Sequence, residues 1–227
     1  MINNILVIAP HADDEVLGCG GTIYKHHLNK DNVYVAIMTD ASKGAPEIFS
    51  NQDIIKIRKE ALKAHKILGV TETIFFDFPA PKLNQYPIYK IAEKIRLLIK
   101  KLKIDIIYIP HRGDLHKDHE AIYDASLVAA KPLPAQSVKK IFVYETLSET
   151  DWSDTVSSNV FVPRYFNVIK KSVLNKKIAA MKCFESQLKN PPNSRSLENL
   201  KNLSSVRGST IGSNYAESFD IVRIIKK

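Results

Sequence analysis

The sequence is poor in cysteine, in glycine and in long apolar runs, and each shortage removes a class of protein. Two cysteines, Cys19 and Cys183, among 227 residues cannot staple a disulfide framework, and no basic leader precedes the first apolar run. A reducing, cytoplasmic location is therefore expected. No stretch approaches the roughly 18 uninterrupted apolar residues of a spanning helix, the longest candidates being Ile5 to Ala9 and Ile104 to Pro110, so no membrane span is expected. Eight glycines and eleven prolines exclude collagen-like and low-complexity chains. One glycine pattern is missing as well. Gly18-Cys19-Gly20-Gly21 lacks GxGxxG spacing, which removes most of the support for a nicotinamide or flavin enzyme.

What is present is an ordinary globular composition, 44% hydrophobic and 25% charged, with 33 basic against 24 acidic residues for a net charge of +9. Such a balance attracts anions and says nothing about fold. The lysines fall in scattered pairs, such as Lys100-Lys101 and Lys139-Lys140, with no recognisable nucleic-acid-binding motif, so no nucleic-acid partner is expected. The charge fits either a solvated surface or an anionic substrate.

Short aliphatic runs recur at Asn4 to Pro10, Val33 to Met38, Thr73 to Phe78, Asp105 to Ile109 and Lys140 to Tyr144, with helix-length amphipathic stretches between them. Ile54, Ile57, Ala61, Ala64, Ile67 and Leu68 share one helical face, and Gly69 stands where a left-handed residue would stop the helix. Ile88, Ile91, Ile95, Leu98 and Leu102 repeat the stripe. The alternation predicts an α/β fold, Rossmann-like, with a mostly parallel central sheet flanked by helices in a single domain over residues 1–227. The last third is expected to hold a helix at Lys170 to Lys189, a second at Ser196 to Leu203 and a final strand at Phe219 to Ile225. Ligands of open α/β sheets bind beyond the carboxyl ends of the strands, which directs attention to the residues after Pro10, Met38, Phe76 and Ile109.

Two of those positions carry clustered ionisable groups. After the first strand comes His11-Ala12-Asp13-Asp14-Glu15. Carboxylates packed this closely raise one another's pKa unless a cation intervenes, although acids at a helix start also serve as caps. After the fourth strand, His111, Asp114, His116, Asp118 and His119 fall within nine positions, in a loop that a doubly wound sheet brings to face the first. Histidine and carboxylate donors without thiolate suit zinc with an open position.

His11-Ala-Asp13-Asp14-Glu15 resembles the His-Pro-Asp-Asp-Glu motif, and His116-Lys-Asp118-His119 the His-x-Asp-His motif, of the PIG-L (LmbE-like) zinc-dependent N-deacetylases. Leu17 to Gly21, Thr39-Asp40, Glu60-Ala61, Asp114, Tyr144-Glu145, Ser186-Gln187 and Tyr215 to Phe219 resemble its weaker markers. The chain departs from the pattern in having Ala12 for the usual proline and Arg58 two rather than three positions before Glu60. The resemblance implies that His11, Asp14 and His119 hold Zn2+, with Fe2+ able to take its place. It implies further that Asp13 is the general base, and that His116, oriented by Asp118, stabilises the oxyanion and protonates the leaving amine. It leaves Glu15 divided between support for His119 and a helix-start role. The implied reaction is removal of the acetyl group from an N-acetylated amino sugar of GlcNAc type, either free or linked to a phosphate, nucleotide or lipid carrier, by attack of metal-activated water on the amide.

Arg58, Arg112 and Tyr144 are candidate substrate contacts. Each arginine is equally readable as a solvated surface cation, and Tyr144 as a core residue at the end of the fifth strand. The same ligand trio also describes the facial triad of Fe(II) oxygenases, which would leave Asp13 without a task. A non-catalytic sugar- or anion-binding module on the same fold, or a hydrolase of a different amide, would also carry these residues. Homo-oligomer formation through the C-terminal segment is an expectation from chain size alone.

Overall fold

The computed structural model describes residues 2–134, 136–156 and 159–226. In chain order the elements are β1 (Asn4–Ala9), α1 (Asp14–Leu28), β2 (Asn32–Asp40), α2 (Ala41–Gly44), α3 (Asn51–Leu68), β3 (Glu72–Pro79), α4 (Ile88–Leu102), β4 (Ile106–Pro110), α5 (Lys117–Ala129), β5 (Lys140–Tyr144), β6 (Tyr165–Val168), α6 (Lys171–Met181), α7 (Leu197–Ser209) and β7 (Ala216–Ile224). The strands form one sheet of order β3-β2-β1-β4-β5-β7-β6. The first five are parallel, and β7 runs antiparallel to both β5 and β6.

The side chains of β1 show why this sheet lies in the middle. Ile5, Val7 and Ala9 enter a core with α1, α3 and α6, while Leu6 and Ile8 enter a second core with α4 and α5. A strand whose alternate residues are apolar on both faces must be covered twice, as parallel strands are. α3 begins with the Ser50–Asp53 capping box and ends at Gly69 with φ +72°, the stop that the sequence predicts. At the other end of the site layer, α1 lies close against β5. A Cβ on Gly18 would stand 2.3 Å from the ring of the fully buried Tyr144, so only glycine permits this approach. α1 is further tied to β7 and α6, because Glu217 accepts from the backbone N–H of Gly21 (2.8 Å) and Thr22 (2.6 Å) and pairs with Lys177 at 2.6 Å. A buried carboxylate needs such partners.

The last third departs from expectation. The helix expected to reach Lys189 ends at Met181, because Phe184 turns back into the core and Ser186 bonds Glu60 with its hydroxyl at 2.6 Å. α7 starts where expected, with the Ser196 hydroxyl accepting from Asn199 N–H, but continues to Ser209. The four-residue edge strand β6 is too short to show periodicity. The final strand begins three residues earlier than expected, at Ala216. Among the described residues, no helix is long and apolar enough to cross a membrane.

The chain runs β1, β2, β3 toward one edge and then crosses to β4 beside β1. The two acid- and histidine-bearing loops thus leave adjacent strands at the point where the strand order reverses, the place where such sheets bind ligands.

Candidate active site

At the end of β1 the chain makes a tight turn into α1. Asp13 occupies a left-handed conformation with φ +119°, and its side chain makes no cap bond to the helix. A non-glycine residue held at positive φ stores backbone strain, and such residues cluster at functional sites. The turn is fixed by its own acids. Asp14 Oδ2 accepts from the His11 N–H (2.9 Å) and Glu15 Oε2 from the Asp13 N–H (3.1 Å). Both Asp14 and Glu15 lie in the first turn of α1, where the helix dipole favours negative charge. Glu15 does not reach His119; its other oxygen faces the buried His65 Nε2 at 2.9 Å, and His65 Nδ1 bonds Thr73.

From β4 the loop delivers Asp114, His116, Asp118 and His119. His116 caps α5, its Nδ1 accepting from the Asp118 N–H at 3.2 Å. The ring of His116 lies 4.4 Å from that of His11, and His11 lies 5.4 Å from His119, measured between centroids. His119 Nε2 approaches Asp14 Oδ2 at 3.2 Å while its Nδ1 bonds Asp114 Oδ2 at 2.8 Å. His11 is arranged in the same way, with Nδ1 3.3 Å from Asp14 Oδ2 and Nε2 3.2 Å from Asp118 Oδ2. Each imidazole therefore turns one nitrogen toward Asp14 and the other onto a carboxylate. This is the arrangement by which outer carboxylates orient metal-ligating histidines.

The residues fit a divalent cation. One donor atom each from His11, Asp14 and His119 can be chosen so that all lie within 4.8 Å of one another, and Asp14 Oδ1 and His119 Nε2 are buried without a hydrogen-bond partner. Orphaned buried polar atoms are rare and call for an explanation; two imidazole nitrogens and a carboxylate are a donor set that suits a divalent metal ion. His11, His116 and Asp118 form a second such cluster, but there both carboxylate oxygens are engaged, Oδ1 by the Leu83 N–H (2.9 Å) and Oδ2 by His11.

Electrostatics point the same way. Burial pulls His11 down, yet its hydrogen bonds to Asp118 and Asp14 raise it to about 9. His119 is likewise held well above its usual value against burial by Asp14 and Asp114. Burial also opposes ionisation of Asp14, but the charge of His119 and the hydrogen bond and charge of His11 hold it well below the carboxylate range. The site demands positive charge at its centre. Asp13 behaves differently: burial raises it to about 7, assisted by Asp14 and Glu15 and opposed by Arg195. His116 is lowered to about 4 by burial and by the charge of His11, so it is neutral at neutral pH. Because its Nδ1 accepts a hydrogen bond, the ring proton sits on Nε2.

The structure brings together His11, Asp13, Asp14, His116, Asp118 and His119. It places Asp118 differently from the role the resemblance implies, since the carboxylate lies nearer His11 (3.2 Å) than His116 (3.9 Å) and the backbone N–H is what fixes the His116 ring. The three candidate substrate contacts are engaged with other protein groups. Arg58 is spent on Asp77 (2.6 Å) and the Phe76 carbonyl (3.0 Å). Arg112 lies exposed beside α5 against Asp124 and Glu120. Tyr144 is fully buried and donates its hydroxyl proton to the Ile8 carbonyl at 2.9 Å. Residues the sequence did not single out complete the site. Arg195 brings a guanidinium nitrogen within 3.1 Å of Asp13 Oδ2, Glu149 pairs with Arg195, and Thr150 donates to Asp114 Oδ1 at 2.6 Å. Nothing in the local pattern Asn193-Ser194-Arg195-Ser196 marks the arginine, because its partners lie far away in sequence.

Comparison with known proteins gives a consistent result. Residues 6–130 match a family described as PIG-L: GlcNAc-PI de-N-acetylase. The chain is 30% identical to the uncharacterized deacetylase YaiS of Escherichia coli (strain K12) over 188 residues, covering 80% of this chain and 90% of that one. It is 29% identical over 143 residues to the probable N-acetyl-alpha-D-glucosaminyl L-malate deacetylase 2 of Bacillus cereus, covering 60% of this chain and 64% of that one. Among solved structures, the conserved protein TT1542 from Thermus thermophilus superposes with a TM-score of 0.77 at 23% identity, over 100% of this chain and 97% of that one.

Proposed function

This chain belongs to the PIG-L family of GlcNAc-PI de-N-acetylases, and from that premise, with the geometry of the site, we propose that it is a metal-dependent N-deacetylase of an N-acetylated amino sugar. The observation that carries the proposal is the division of labour in the β1 loop. Asp14, with His11 and His119, surrounds a position with unsatisfied buried donor atoms, while the adjacent Asp13 is no member of that trio and pairs with Arg195.

His11, Asp14 and His119 would hold a divalent cation, zinc or Fe2+ by donor type, which when bound would lower the pKa of water from about 15.7 toward about 7 and polarise a carbonyl. Hydrolysis then requires proton movements that the protein's own groups supply. Asp13, whose carboxyl is raised by burial, stands next to the ligand Asp14 and is placed to accept a proton from the attacking water. His116 presents Nε2–H as a neutral donor to the negative charge that develops on the amide oxygen; removing such a donor costs about 10²–10³ in turnover. The C–N bond breaks, hydroxyl remains on the acyl carbon as acetate, and the proton carried by Asp13 passes to the departing nitrogen, a transfer that the resemblance assigns to His116. Asp114 and Asp118 hold the two imidazoles in orientation.

Because the family match covers residues 6–130 while Arg195 lies outside it, we propose that the whole chain is one functional unit. An amino sugar is favoured over other amides because the Bacillus cereus relative is named for an N-acetylglucosaminyl substrate. The test is release of acetate from a panel of N-acetylated amino sugars by metal-loaded and chelator-treated protein, with Asp13→Asn as control. Acetate release that depends on metal and on Asp13 is expected. Release that persists undiminished in Asp13→Asn would remove the base, and no release from any member of the panel by loaded protein would remove the proposal.

A further inference from the structure

We infer that Arg195 is a positioning residue for the reaction, holding the Asp13 carboxylate in place from a strap formed by two distant loops. Asp13 cannot position itself. Its backbone is at φ +119°, its side chain makes no cap bond, and Oδ2 is buried without an aligned hydrogen bond. Its one ion pair among the described residues is with Arg195 Nη1, 3.1 Å away.

The guanidinium, in contrast, is fixed from several sides. Nε donates to Ser148 Oγ at 2.6 Å, Nη1 to Gln187 Oε1 at 3.4 Å, and Nη2 approaches Glu149 Oε1 at 3.5 Å. Ser148 itself takes a left-handed conformation, φ +71°, in a buried turn, and the Ser194 hydroxyl bonds Asp151 across the same seam. These polar contacts join the two loops and aim a nearly buried cation at one carboxylate. A planar fork held at several donors is pre-organised in a way a lysine is not. A base displaced by about 1 Å can cost on the order of 10² in rate. Arg195 therefore acts through Asp13.

The kinetic side of this role rests on the deacetylase reading; the contact itself does not. The test uses the full chain with Arg195→Ala, Arg195→Lys, Asp13→Asn and the Arg195→Ala/Asp13→Asn double variant, each assayed for bound metal. In the thermal double-mutant cycle the two single shifts should fail to add by roughly 2 °C or more, as expected for directly interacting residues in a chain of this size. Additive shifts would overturn the contact whether or not the protein is a deacetylase.

In turnover, Arg195→Ala should lose about 10² in kcat while KM and metal stoichiometry stay at the parent's values. Added guanidinium should restore part of that loss in Arg195→Ala and none in Asp13→Asn, and Arg195→Lys should fall between parent and Arg195→Ala. A loss confined to KM would make Arg195 a substrate contact, and loss of metal or absence of guanidinium rescue would make it structural; either result overturns the positioning role. If the parent releases no acetate, the deacetylase reading fails and the thermal cycle alone decides whether Arg195 holds Asp13.

Discussion

Stripping the cation should turn the site into a source of pH-dependent instability. In the metal-free protein His11 is raised from 6.5 to about 9, so between those values the native state binds a proton that the unfolded chain does not. The resulting stabilisation is fully present below pH 6.5 and is lost as pH rises through 9. A shift of 2.5 units corresponds to about 3 kcal/mol at about 1.36 kcal/mol per unit. The side chain retains 24% exposure, so solvent screening makes this an upper value. His119 is raised as well and acts in the same direction. For a chain of this size about 3 kcal/mol corresponds to roughly 6–12 °C in Tm. The metal-loaded protein requires neutral imidazoles and should not show the decline. The assay is a Tm series from pH 6 to 9.5 on chelator-treated and zinc-loaded protein, with His11→Ala as control. A metal-free Tm that is flat or rises across that interval would refute the electrostatic reasoning, as would a decline of equal size in His11→Ala.

Further outcomes can be checked singly. Asp114→Asn removes the carboxylate that orients His119 Nδ1 and should weaken zinc binding about 10–100-fold by competition titration. Tyr144→Phe deletes the hydroxyl that bonds the Ile8 carbonyl and should cost about 1 kcal/mol in denaturant unfolding without changing turnover. Gly18→Ala forces a methyl group to 2.3 Å from the buried Tyr144 ring and should destabilise by about 1–3 kcal/mol through overpacking, read as a lower midpoint in urea. His116→Ala should lower kcat about 10²–10³-fold with metal stoichiometry unchanged.

The parallel half of the sheet was legible because doubly covered strands appear as uninterrupted aliphatic runs and the helices between them as stripes, with Gly69 marking a stop. The switch point between β1 and β4 followed from that alternation, and it predicted that the His11 and His119 loops would meet. The C-terminal third was less legible. β6 spans less than one reliable period, and the end of α6 is set by Phe184 packing back into a core contributed by distant segments. The site shows the same boundary. Residues gathered in two short loops could be found from their spacing, whereas Arg195 and the adjacent pair Glu149 and Thr150 arrive from elsewhere. Asp118 illustrates a finer limit: the resemblance implies that its carboxylate serves the His116 ring, but as an α5 first-turn residue it offers its N–H to His116 and its carboxylate to His11. Arg58 and Arg112 were drawn into nearby acid pairs, the common fate of surface arginines.

The most direct measurement is the anomalous difference density of zinc in crystals of the metal-loaded protein. One peak is predicted, at about 2.0–2.2 Å from His119 Nε2, an Asp14 oxygen and a His11 ring nitrogen, with Asp13 outside the coordination sphere. A peak held instead by His116 and Asp118, or no peak at the end of β1, would contradict the account.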